Sequence, residues 1–148
     1  MFVRVHTGAI SGIEAVAVTA EVNVASGGLG LFIVGLPDNT IKESHERILS
    51  ALQVNGYKFP VAQIIVNMAP ADIRKEGSAY DLPLAIGIMA ANGTVSSDKL
   101  SRYMMIGELG LDGALQPVKG ALPIAIRARE QGFEGLIVPR ENAREAAV

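Results

Sequence analysis

Two alternating stretches near the N-terminus constrain the fold before anything else does. Over the twelve residues 14–25, Ala15, Ala17, Thr19, Glu21, Asn23 and Ala25 fall on one face, and Val16, Val18, Ala20, Val22 and Val24 on the other. A period of two rich in β-branched residues describes a half-buried strand. Residues 2–6 alternate in the same way, with Phe2, Arg4 and His6 set against Val3 and Val5. Ser26-Gly27-Gly28 then reads as a hairpin connection, and residues 29–34, nearly all apolar, as a third and central strand. Three strands joined by short links predict an antiparallel meander.

The period changes after Gly35-Leu36-Pro37-Asp38. Thr40 and Glu43 have the spacing of a capping box, with Asp38 as the rival N-cap. Ile41, His45, Ile48, Leu49 and Leu52 share one helical face, and Asn55-Gly56 stops that helix. Residues 64–66 read as a short buried strand closed by Pro70. A second helix runs from Ala79 or Asp81 to Asn92-Gly93, with Pro83 tolerated in its first turn. Residues 103–106 read as a strand and residues 111–114 as a turn. Residues 121–131 form a third helix ended by Gly132, residues 136–138 a last strand, and residues 140–148 the start of a further helix. Strands first and alternating elements later predict an α+β fold, a sheet with helices packed on one face.

A chain of 148 residues suits one compact domain. Hydrophobic residues make up 49% and the net charge is -2, which excludes a disordered chain. There is no Cys, so no disulfide framework or thiolate metal site, in keeping with a cytoplasmic setting. No apolar run approaches a membrane span, and residues 1–6 do not resemble a signal peptide. A pI near 5.7 argues against nonspecific nucleic-acid binding by the whole surface.

The candidate sites are few. Gly27-Gly28-Leu29-Gly30 leads into a strand, whereas a phosphate loop must open a helix. His6 and His45 lack partners at metal-ligand spacing and read as structural. Glu108 and Asp112 flank a turn whose Asp112-Gly113 is turn chemistry first. Arg127, Arg129, Arg140 and Arg144 interleave with Glu130, Glu134, Glu141 and Glu145, as on a solvated face. The loop Asp72-Ile73-Arg74-Lys75-Glu76-Gly77, between a strand and a buried helix, is the segment placed to touch a partner. Read from its residues alone, it is also an ordinary solvated loop tied down by Asp72.

Four stretches carry a resemblance. They are Val66-Asn-Met-Ala-Pro-Ala-Asp-Ile-Arg-Lys-Glu-Gly-Ser-Ala-Tyr-Asp-Leu-Pro-Leu-Ala-Ile-Gly, Gly107-Glu-Leu-Gly-Leu-Asp-Gly-Ala-Leu-Gln-Pro-Val-Lys-Gly, and the pair Gly35-Leu-Pro-Asp with Lys42-Glu-Ser-His-Glu-Arg. Together they resemble the N-terminal domain of the magnesium-chelatase-like AAA+ ATPases, the competence-associated ComM/YifB group, over essentially the whole chain. The resemblance implies a ribosomal protein S5 domain 2-like fold, similar to the proteolytic domain of Lon and to the C-terminal domain of the RadA/Sms repair proteins. It also implies a single domain, residues 1–148, excised from a longer ATPase. ATP and magnesium would belong to the missing module, and this domain would hold no cofactor or metal.

Partners implied are the protein's own AAA+ module, neighbouring subunits and DNA, with no membrane, and Asp72, Arg74, Lys75 and Lys119 are the candidate contacts. Lon proteases pair a Ser with a Lys. Those positions fall on Ala79 and near Leu122, with Ser78 one residue off and Lys119 about a turn early. The expectation is therefore a non-catalytic assembly or binding domain. A Ser78/Lys119 peptidase in shifted register and a magnesium chelatase subunit are the alternatives.

Overall fold

The computed structural model describes all 148 residues. In chain order the elements are β1 (Phe2–Ser11), β2 (Glu14–Ala25), β3 (Gly30–Val34), α1 (Asn39–Lys42), α2 (Ser44–Val54), β4 (Gln63–Ala69), α3 (Asp81–Ala91), β5 (Tyr103–Met105), β6 (Glu108–Leu109), β7 (Leu115–Gln116), α4 (Ala121–Glu130), β8 (Gly135–Ile137) and α5 (Ala143–Ala146). Six strands form one sheet in the order β3-β4-β2-β1-β5-β8, and β6 and β7 make a separate two-stranded hairpin. β1–β2 and β2–β4 are antiparallel; β3–β4, β1–β5 and β5–β8 are parallel. The sheet is mixed, as an α+β fold requires.

The expected meander stops after its first hairpin. β4 inserts between β2 and β3, so Gly27-Gly28 leads to a strand two places away and is no hairpin turn. β3 lies at the sheet edge rather than in its centre, with Phe32 and Val34 half exposed. Its apolar composition reflects burial of Leu31 and Ile33 against the core and a parallel pairing with β4 that no local signal announces. β1 also continues past His6 to Ser11, because β2 pairs with every one of its residues.

Helices cover both faces of the sheet, not one. The register of β1 against β2 carries no bulge, so residues alternate strictly. Val5 packs on Gly87 of α3, and Gly8, on the opposite face, packs on Ile124 of α4. The larger core, 22 buried residues including Val5, Val18, Val22, Ile48, Val66 and Ile88, lies between the sheet and α2 and α3. A smaller one, with Ala15, Met104, Ile106 and Ile124, lies beneath α4. Gly87 lets α3 sit close to the sheet, since a Cβ there would lie 2.9 Å from Val22 Cγ2. No helix is long and apolar enough to cross a membrane.

Candidate functional site

The segments singled out in the sequence are joined to one another by buried polar contacts. Asp38, rather than Thr40, caps α1: its Oδ1 accepts from Ile41 N–H at 2.9 Å. Its Oδ2 accepts from Gly77 N–H at 3.0 Å, which ties the loop 70–77 to the start of α1. The backbones add a parallel bridge at Pro37↔Lys75, with Lys75 N–H donating to Leu36 O and Asp38 N–H to Lys75 O, both at 3.0 Å. The bridge needs Gly35 at φ 104° and Leu36 at φ 58°. A Cβ on Gly35 would run into the Met68 carbonyl, so glycine is required there for space as well as for φ.

Lys75 overturns the picture of a wholly solvated loop. Its side chain is fully buried, and Nζ donates to Gly35 O at 2.8 Å and to Pro70 O. Burial pushes its pKa below the usual lysine value, and Asp72 pulls it partly back. Lys75 therefore props the loop from within and offers no cation to a partner. Arg74 points the other way, exposed and paired with Glu76 at 2.9 Å.

A second clamp joins three segments distant in sequence. Asp81, at the start of α3, is 1% exposed and accepts from Arg47 Nε at 2.6 Å, Arg47 Nη2 at 3.0 Å and Leu109 N–H at 3.1 Å. Arg47 Nη2 also donates to Thr40 O at 2.8 Å. Burial raises the Asp81 pKa against the opposing pull of Arg47 and the Leu109 amide. α2 holds the 110–113 turn as well: Ser50 Oγ donates to Leu111 O at 2.8 Å and Asn55 Nδ2 to Asp112 O at 2.9 Å. Asp112 Oδ1 accepts from Ala114 N–H at 2.9 Å, the turn role expected of it.

Beside the loop that Asp38 and Lys75 tie down lies a cleft of about 860 Å³. Gly8, Ala9, Ile10 and Ser11 of β1 line it, with the loop from Asp72 to Tyr80, Pro117, Val118, Lys119 and Ile124. Of the expected contacts, Asp72, Arg74 and Lys119 line this cleft, while Lys75 lies behind its wall. Ser78 and Ala79 are half-buried on it and Lys119 is exposed. Leu122 is not among the lining residues, and no hydrogen bond joins Ser78 to Lys119. Tyr80 stays protonated well above the usual phenol range, through burial first and then the charges of Asp38 and Glu76.

His6 and His45 take structural places. His6 Nδ1 lies 3.2 Å from Thr19 Oγ1 and its ring packs on Phe133; His45 packs on Phe59. No three His, Asp or Glu side chains converge on a point that would hold a metal ion. The residues that sequence reasoning missed are Arg47 and Asp81. The Arg ends one quoted segment and the Asp lies inside another, but no local spacing links them.

A mixed sheet whose signature loops are locked by buried polar clamps around one cleft defines a class of α+β domain. Within that class, the chain belongs to the family described as subunit ChlI of Mg-chelatase, whose pattern matches residues 20–142. It is 43% identical to the uncharacterized protein YifB of Escherichia coli over 144 residues, 97% of this chain and 28% of that protein. It is 42% identical to the competence protein ComM of Haemophilus influenzae over the same share of each. Lon protease 2 of Bacillus subtilis is 31% identical over 101 residues, 68% of this chain and 18% of the protease. The chain thus spans 28% of the length of the first two relatives.

Proposed function

We propose that this chain is a non-catalytic assembly and binding domain of a magnesium-chelatase-like AAA+ ATPase. The full-length protein would use ATP to remodel DNA in competence or recombination, in the cytoplasm. The observation that carries this reading is what the signature side chains do. Asp38, Arg47, Lys75 and Asp81 are all engaged in contacts within the domain, and the resemblance to Lon would put its Ser and Lys positions on Ala79 and near Leu122. Relatedness to Lon supports the finer fold assignment, ribosomal protein S5 domain 2-like.

Asp72, Arg74 and Lys119 on the cleft are the contact residues of this reading. The partners would be the ATPase module, a neighbouring subunit or DNA. ATP and magnesium would bind outside this chain. Its one glycine-rich run, Gly27-Gly28-Leu29-Gly30, opens β3, so no helix N-terminus is there to meet a phosphate. A test is Arg74→Glu with Lys119→Glu in the full-length protein. DNA-stimulated ATP hydrolysis or ring assembly should weaken, whereas unchanged stimulation and oligomer size would remove the proposal.

A second reading, a Ser/Lys peptidase in shifted register, has one observation in its favour: Ser78 and Lys119 line the same cleft. It requires the amine within hydrogen-bond reach of the hydroxyl, a contact that is not made. A chelatase subunit that moves magnesium into a porphyrin rests on the family description alone.

A further inference from the structure

The sheet ends on one side at β3, whose only strand neighbour is β4. An edge strand leaves the N–H and C=O groups that face away from its neighbour unpaired. No main-chain hydrogen bond from outside the sheet reaches Gly30–Val34. The edge is open as well as unpaired, since Gly30, Phe32 and Val34 are exposed. Such edges are ordinarily blunted by Lys, Pro or a bulge. β3 has no Lys and no Pro, and its register against β4 is unbroken from Gly30↔Gln63 to Val34↔Asn67.

The side chains of β3 sort by face. Leu31 and Ile33 pack against the larger core. Phe32 lies in register with Ile65 of β4, and both are about half exposed, as is Val34. These three make an apolar patch that runs to the edge itself. The Phe32 ring leans along the strand over Gly30, where a Cβ would lie 3.2 Å from its Cε2.

The charge pattern selects what covers this edge. Residues 22–37 contain no charged side chain. Around a two-fold axis each side chain meets its own copy, so a charge at the axis would face its like; a neutral strip is what self-pairing needs. Arg4 shares the face of Val34 through the register Arg4↔Glu21↔Asn67↔Val34. It is already paired with Glu21 at 3.4 Å, so the patch offers no free cation to a phosphate backbone. A two-fold centred on Phe32 sets Phe32 opposite Phe32, Leu31 opposite Ile33, and Gly30 opposite Val34 of the second copy. Val34 then fills the space over a glycine, beside the ring that leans there, and Leu31 and Ile33 extend each core across the join. Aromatic and β-branched cross-strand pairs of this kind stabilise antiparallel strands. An edge of five residues is about 17 Å long, a small contact beside the roughly 800 Å² per partner of a standard interface, so the pair should be weak, with a Kd on the order of 10 µM or above.

We infer that two copies of this chain pair β3 to β3, antiparallel and centred on Phe32, joining two six-stranded sheets into one. This adds a symmetric contact to the assembly reading without using the cleft. The test is sedimentation velocity of this chain from about 1 µM to about 1 mM, a range that brackets such a Kd. A reversible monomer–dimer equilibrium is expected, and Phe32→Lys should raise its Kd about tenfold or more by setting two ammonium groups at the axis. The chain has no Cys, so single cysteines read the register. Opposed residues of an antiparallel pair lie about 4.5–5.5 Å apart at Cα, within disulfide reach, whereas the two residues 34 would be about 14 Å apart. Mild oxidation should therefore link Phe32→Cys into a dimer and leave Val34→Cys unlinked, with far-UV circular dichroism checking that each variant is folded. A monomer at every concentration, equal linking at 32 and 34, or an unchanged equilibrium in Phe32→Lys would overturn it. Saturable oligothymidine binding by such a monomer would assign the patch to nucleic acid instead. The readout needs neither ATP nor DNA, so its failure removes the paired edge and leaves the cleft contacts to their own test.

Discussion

The Arg47–Asp81 clamp makes a quantitative prediction. Asp81 is 1% exposed, and its carboxylate takes two bonds from the Arg47 guanidinium and one from the Leu109 amide. Asp81→Ala leaves a guanidinium and a backbone N–H without their acceptor. Removing one member of a buried pair costs roughly 3–5 kcal/mol. The Arg47 side chain is 20% exposed and keeps Thr40 O, so water relieves part of that, and about 2–4 kcal/mol is expected. Arg47→Met strands the Asp81 charge deeper in the protein and should cost at least as much. The double variant Arg47→Met/Asp81→Ala removes both charges and should cost much less than the sum, because neither partner is left as an unpaired buried charge. Urea midpoints for the four proteins at pH 7 give the coupling energy directly. If the single losses add, or if Asp81→Ala stays within about 0.5 kcal/mol of wild type, the clamp does not hold these segments together.

Other consequences follow from the same contacts. Lys75→Glu should destabilise far more than Arg74→Glu, because it buries an unpaired charge among carbonyls, whereas the exposed Arg74–Glu76 pair is worth less than about 1 kcal/mol; paired denaturation curves compare them. Gly87→Ala should cost about 1–3 kcal/mol by forcing α3 off Val22, read as a lowered urea midpoint at unchanged slope. Burial, with a smaller push from Arg4, depresses the His6 pKa below 6.5. The unfolded chain then takes up a proton that the native imidazole does not, so stability should fall as pH drops from about 7 through 6.5 toward the native value. His6→Gln should remove that part of the slope, and an identical slope in both proteins would speak against it.

The helices were legible because their signals are local. α3 and α4 begin and end close to where apolar spacing, Pro83 and the Gly93 and Gly132 stops put them. The sheet order was not, because the insertion of β4 between β2 and β3 is a pairing between segments some thirty residues apart that alternation cannot specify. Alternation likewise predicted two sheet faces without saying that α4 would cross to the second. The loop at 72–77 was found, but its residues were sorted by type: Lys75 looks like Arg74 in sequence, and only the carbonyls of Gly35 and Pro70 distinguish them. Asp81 looked like a helix start, which it is, while its charge partner lies 34 positions away.

The most direct measurement is peptide turnover by the full-length protein with ATP and magnesium, using casein as substrate and Ser78→Ala and Lys119→Met as comparisons. The non-catalytic reading proposed above requires casein to stay intact in all three proteins. Casein cleavage by the wild type that disappears in both variants would show that the cleft is a working hydrolase site after all.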